Sequence, residues 1–191
     1  MLGIKGYMPN FSTTVSQFAD KHEKTLRQLI GKRIDCYYLQ WQTKENAWNE
    51  DGPIILQIEG NQYEFTAYKL DEYSLTINQI NLSEKLDWYG ANDEMPLMWK
   101  KNPIDKINGL LNRKIEQIYL LEYSMTSDII DDKEKKEFFR QLTQSGFFIV
   151  GIEFKINGIE DCLHLSNGLD CNALKIHTTE IETKNRRIKI E

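Results

Sequence analysis

Three cysteines in 191 residues, Cys36, Cys162 and Cys171, are too few and too widely spaced for a disulfide framework or a paired-thiolate metal motif. No run approaches the roughly 20 consecutive apolar residues that span a bilayer. No stretch near Met1 joins a basic start to an apolar run and a small-residue cleavage site. These absences argue against membrane insertion and secretion and for a reducing, cytoplasmic setting. Glycine-rich phosphate loops are missing too, since Gly151, Gly158 and Gly168 stand alone and suit turns or a strand. Basic residues are outnumbered, with 24 Lys and Arg against 29 Asp and Glu, and the net charge of -5 disfavours sequence-independent nucleic-acid binding. Two valines and five alanines beside 22 isoleucines match the bias of an AT-rich genome, and we read the chain as bacterial.

What is present is an ordinary globular composition, 40% hydrophobic and 28% charged, in a chain long enough to bury a core without staples. The most informative feature is internal. Leu29 to Leu39, LIGKRIDCYYL, returns at Leu110 to Leu120 as LLNRKIEQIYL, with four identities and four conservative exchanges. Ile54 to Gly60 (IILQIEG) matches Ile152 to Gly158 (IEFKING), and Leu70 to Ile77 (LDEYSLTI) matches Leu169 to Ile176 (LDCNALKI). The order is the same in both halves while the offset grows from 81 to 98 to 99, which implies a loop insertion in the second copy.

Residues 1–11 show no periodicity and read as an irregular arm. From Val15, apolar steps of three and four predict an amphipathic helix, with Ser12, Thr13 or Thr14 as N-cap and Gly31 as its stop. A counterpart is expected at 104–111, with Asn102 capping and Pro103 in the first helical position. Strands follow at 33–42 and 113–125. The clearest strand is 147–156, where Phe148, Val150, Ile152, Phe154 and Ile156 alternate with Ile149, Gly151, Glu153 and Lys155. Ile54, Leu56 and Ile58 fall on Ile152, Phe154 and Ile156, so the inward set is shared, and a one-residue slip would expose it. Gly60-Asn61 and Asn157-Gly158 then read as tight hairpin turns. Tyr63, Phe65 and Ala67 correspond to Asp161, Leu163 and Leu165 on the returning strands. Further strands are expected at 74–82 and 173–181, and an extra helix at 131–145, where the first half has a loop. The connector 84–102 is rich in aromatics and is expected to pack across both halves.

The fold class expected is α+β, with two helix-strand-hairpin-strand repeats, mainly antiparallel pairing and a shared core. Whether the sheets join or stack stays open. One domain spans 1–191, comprising repeat 14–83, connector 84–102, repeat 103–181 and a basic tail at 182–191.

Catalytic signals are sparse. Cys162 and His164 are two apart on a strand, match no CxxC or HExxH spacing, and align with Glu64 and Thr66 on what should be a solvent face, so we read them as a surface pair. His22 lies beside the apolar stripe of the first helix and reads as a partly buried structural histidine. His177 adjoins Thr178 and Thr179 with no Ser or Cys placed to suggest a triad. No catalytic residue, metal ligand or cofactor is expected. The tail, with four basic residues among the last eight, reads as a frayed edge strand protected by charge.

Two clusters join carboxylates to aromatics: Trp48, Glu50 and Asp51 in 45–51, and Asp87, Trp88, Tyr89, Asp93 and Glu94 in 87–94. Aromatics supply burial at an interface and acids supply steering. The function expected is therefore a non-enzymatic protein-binding module with a basic partner, the class to which toxin-neutralising immunity proteins belong. The alternative is a small-molecule binder or enzyme with a cleft between the repeats.

Overall fold

The computed structural model describes residues 2–91, 93–125, 146–168, 170–178 and 186–191. It opens with an arm that carries no regular element and then a helix, α1 (Val15–Leu29). The Thr14 hydroxyl accepts the Gln17 amide at 3.2 Å, as an N-cap should, and Gly31 follows the helix with a φ of 84° and donates its N–H to the Ile115 carbonyl at 2.8 Å. Val15, Phe18, Leu26 and Leu29 form the buried face, which packs on the second sheet as well as on Tyr73 of the first.

The first sheet holds β1 (Ile34–Gln42), β2 (Ala47–Trp48), β3 (Ile54–Ile58), β4 (Asn61–Tyr68), β5 (Glu72–Ile77) and β6 (Leu97–Lys101). Its order is β2-β1-β3-β4-β5, with β6 also on β1. After α2 (Asp105–Asn108), the second sheet holds β7 (Ile115–Met125), β8 (Gly146–Ile156), β9 (Asp161–Asn167), β10 (Asn172–Thr178) and β11 (Arg186–Lys189), in the order β10-β9-β8-β7-β11. All pairings are antiparallel. Each sheet contains a four-strand meander in chain order, β1-β3-β4-β5 and β7-β8-β9-β10. Among the described residues the two sheets share no paired strand, and an isolated bridge between Arg33 and Lys114 links their ends.

Their apolar faces meet in one core. Ile54, Leu56, Ile58 and Phe65 from one side and Ile152, Phe154, Ile156 and Leu165 from the other are each at most 1% exposed. Phe65 meets Phe154 edge to face, with centroids 5.9 Å apart. Full burial of each such side chain is worth about 1.5–3 kcal/mol. Two side chains cross between the sheets. The Tyr73 hydroxyl donates to the Leu165 carbonyl, while Asn172 binds the Ala67 N–H and the Glu50 and Gly52 carbonyls.

Several expectations need correction. The helix foreseen at 104–111 is one turn, because Asn102 does not cap it: its Oδ1 accepts the Tyr37 N–H, and the Tyr37 hydroxyl bonds both backbone polar groups of Ile104. The first hairpin turn is Glu59-Gly60, both with positive φ (46° and 83°), so Asn61 already belongs to β4. The second hairpin is no tight Asn157-Gly158 turn. Lys155 pairs with Cys162, leaving residues 157–160 as a four-residue loop. That extra length moves the register by two: Phe65 sits across from Ile54 and Leu165 across from Ile152, so Leu165 rather than Leu163 stands where Phe65 does.

The strand foreseen at 74–82 runs instead over Glu72–Ile77, while that foreseen at 173–181 is seen as Asn172–Thr178, with 179–181 outside the described residues. Among the described residues the connector does not span both halves. Leu82, Leu86, Trp88, Leu97 and Trp99 join Leu2, Ile4 and Tyr7 in a second apolar cluster on the outer face of the first sheet, around Ile55. The tail is hydrogen-bonded rather than frayed, with β11 on the edge of β7 and Ile190 buried. The helix foreseen at 131–145 lies outside the described residues. No helix among them is long and apolar enough to cross a membrane.

Candidate functional site

The two acidic aromatic clusters end up in different settings. Trp48 sits on β2 opposite Trp41 and turns its half-buried ring against the main core, with its indole Nε1 buried and lacking a hydrogen-bond partner. It is no surface anchor, because a two-residue strand beside β1 has to bury its one large side chain inward. Glu50 and Asp51 are exposed and lie near Asp170 and Cys171. Partial burial, then the charges of Asp170 and Glu50, raise the Asp51 carboxyl above its usual range. Burial and Glu50 likewise raise the Cys171 thiol.

The 87–94 cluster stands at the other end of the first sheet. The Asp87 amide donates to the Gly3 carbonyl, and the Asp87 carboxylate takes the Gly90 N–H at 2.8 Å, closing a tight loop. This loop holds Tyr89 at a positive φ of 51° and leaves it 74% exposed. Trp88 beneath is half-buried in the outer cluster and meets Tyr89 edge to face at 5.3 Å. Hollows of about 370 and 340 Å³ flank Tyr89, one lined by Gly3, Ile4, Lys5, Lys85 and Asp87, the other by Gly90, Ala91, Asp93 and Glu94. Asp93 and Glu94 are exposed, and the Lys44 ammonium binds the Asp93 carbonyl. The structure thus brings Asp87, Trp88, Tyr89, Asp93 and Glu94 together and leaves Trp48, Glu50 and Asp51 apart from them.

A third assembly was not foreseen. On the outer face of the second sheet, Glu153 of β8 pairs with His164 of β9, and His177 of β10 pairs with Cys162 one row away. Cys162 and His164 are therefore no surface pair: Cys162 is fully buried and His164 is 7% exposed. Glu64 and Thr66 of the first sheet, expected on a solvent face, are also fully buried, because the N-terminal arm lies over them. Glu153 Oε2 stands 3.0 Å from His177 Nε2 and 3.7 Å from His164 Nδ1, and the two imidazole nitrogens are 3.0 Å apart. Arg187 of β11 lies over the Tyr119 ring and pairs with the other oxygen, Oε1.

Burial alone would raise the Glu153 carboxyl, but contacts with His164, Arg187 and His177 outweigh it and hold the group below its usual range, ionised. Burial and the neighbouring Glu153 charge push the Cys162 thiol up to about 11, so it remains a protonated thiol. Sequence reasoning missed the assembly for a definite reason. A two-residue turn at Asn157-Gly158 would set Glu153 opposite Cys162, whereas the four-residue loop sets it opposite His164. The signal that was legible is the outward alternation of Glu153 in β8.

Comparison with protein-family models, with curated protein sequences and with solved structures gave no significant match.

Proposed function

We propose that the chain is a non-enzymatic binding protein whose contact surface is centred on Tyr89 and receives a basic segment of a partner protein. The observation that carries this reading is Tyr89 itself. A large ring 74% exposed, backed by Trp88 and flanked by two hollows, is a costly feature to maintain without a partner to cover it. Asp87, Asp93 and Glu94 surround it and would steer and rim a basic surface. Trp48 leaves the reading, and Glu50 and Asp51 lie outside its centre. A reducing, cytoplasmic setting belongs to the same proposal, supported by three free cysteines.

The scaffold reading is an internal duplication. It is supported by matching cross-strand rows, Tyr38–Ile55–Glu64–Thr76 in the first sheet and Tyr119–Glu153–His164–Lys175 in the second.

The test is affinity capture with paired variants. A partner bound by the native chain should bind Tyr89→Ala about 30-fold more weakly, as for a hot-spot residue. It should also lose affinity for Asp93→Lys and Glu94→Lys, and still bind Glu50→Ala normally. A partner indifferent to Tyr89→Ala and Asp93→Lys would overturn the reading. The small-molecule alternative is favoured by one observation, the convergence of Glu153, His164 and His177.

A further inference from the structure

We propose that Glu153, His164 and His177 form a binding site for a single divalent transition-metal ion of the zinc and cobalt type, on the outer face of the second sheet. Three potential ligand atoms converge there, Glu153 Oε2, His164 Nδ1 and His177 Nε2, separated by 3.0, 3.0 and 3.7 Å. A triangle with those sides has a circumradius of about 1.9 Å, so an ion about 0.8 Å out of its plane stands about 2.05 Å from all three atoms. That is the bond length zinc takes to imidazole nitrogen and carboxylate oxygen. The ligand–metal–ligand angles come to about 94°, 94° and 129°, which straddle the tetrahedral value.

A second observation is independent of those distances. Glu153 is fully buried, yet its Oε2 accepts no hydrogen bond, although His177 Nε2 is only 3.0 Å away. The imidazole is near the oxygen but not aligned to donate to it, because its Nε2 is engaged with His164 Nδ1. A buried carboxylate oxygen left this way costs about 1–3 kcal/mol, which a bound cation would remove. The remaining oxygen is held by Arg187, so the carboxylate is oriented with one atom committed and one presented to the site. Two nitrogens and one oxygen suit a borderline cation, not calcium or magnesium, which want oxygen ligands throughout. Among the described residues this is the one such convergence of His, Cys, Asp or Glu.

In the metal-free protein one imidazole N–H lies between the two rings, and when both nitrogens become ligands that proton moves to the other nitrogen of its own ring. Cys162 shares this face, but its sulfur is not among the converging atoms.

The experiment titrates the full-length chain with Co²⁺ and separately with Zn²⁺. It reads cobalt absorption, thermal stability and the ring-nitrogen NMR signals of the three histidines. The expected result is one ion per chain, a rise in melting temperature reversed by chelator, and shifts confined to His164 and His177. His22 serves as an internal control, since it lies on α1 away from the site. His177→Asn and Glu153→Gln should each weaken binding by about 100-fold or more, beyond the loss seen when only a supporting contact is removed. Should either variant fail to fold, the NMR assignment on the native chain decides alone. Unmoved His164 and His177 signals at millimolar zinc, or binding that survives both substitutions, would overturn the proposal. Either outcome leaves the Tyr89 surface untouched, because that surface is read from a different sheet and a different partner.

Discussion

The outer face of each sheet carries a four-residue cross-strand row with a buried carboxylate, and the two faces treat that carboxylate in opposite ways. In the first sheet Glu64 lies between Ile55 and Thr76. Its oxygens accept from Gln62 Nε2 at 2.7 Å, the Thr76 hydroxyl at 2.6 Å and the Gln79 and Ile80 amides at 2.9 and 3.3 Å. The N-terminal arm lies over this network, and the Tyr7 hydroxyl, pushed up to about 12 by burial, bonds Thr66 at 2.5 Å. In the second sheet Glu153 occupies the row between Tyr119 and His164, one strand over from the position of Glu64, and one of its oxygens has no hydrogen-bond partner. The first face answers its charge with its own backbone and amides, and it is closed. The second leaves a charge only partly answered beside two imidazoles, which is the condition for an external ligand.

This contrast is most directly broken at Glu64. Glu64→Ala leaves four donors facing a void beneath the arm, and should destabilise the protein by about 3–5 kcal/mol in denaturant unfolding. Glu153→Gln in metal-free protein should cost less, about 1–2 kcal/mol, since one oxygen lacks a hydrogen-bond partner already and the loss falls on the charge pairing with Arg187 and the two imidazoles. Equal losses at the two positions would erase the distinction between a closed face and an open one. The crossing side chains sharpen it next. Asn172→Ala removes three side-chain hydrogen bonds to backbone groups, of which the Glu50 carbonyl alone keeps the residue-172 amide, and should cost about 2–3 kcal/mol, whereas Tyr73→Phe removes a single hydrogen bond to Leu165 and should cost about 1 kcal/mol.

The inward row Ile152, Phe154 and Ile156 was legible in the sequence because period-two alternation of large apolar residues has few competing readings, but it does not extend to Phe148 and Val150 as expected: a bulge at Val150 turns Ile149 into the core instead. The helix at Val15–Leu29 was legible for the same reason at the longer period, with Thr14 and Gly31 marking its ends. What the sequence hid were quantities set between strands. Two extra loop residues at 157–160 decide whether Glu153 faces Cys162 or His164, and nothing local to Asn157-Gly158 states the loop length. The arm was hidden differently. Leu2, Ile4 and Tyr7 have no period, and their burial depends on Ile55 exposing an apolar patch on the outer face of a sheet distant in the chain. The sequence shows that acids and aromatics lie together at 87–94, but only the backbone of 87–90 determines that Tyr89 points outward while Trp88 turns in.

A further effect, spread over pH, concerns the third histidine, which tests whether imidazoles elsewhere behave like those of the second face. His22 packs against Phe18 with ring centroids 4.7 Å apart, and burial, helped by the neighbouring Lys21 charge, lowers its pKa from 6.5 to about 4. A histidine with a depressed folded pKa binds its proton more readily when unfolded, so between about pH 6.5 and 4 stability rises with pH and falls as acid is added. Discounted for a partly exposed ring, the contribution is about 1–2 kcal/mol, fully present above pH 6.5 and lost by pH 4. His22→Phe should flatten the stability profile across that window by this amount while leaving metal titration unchanged. A profile as steep in the variant as in the native chain would move the acid sensitivity away from α1, and the buried Glu153–His164–His177 assembly would be the next place to look.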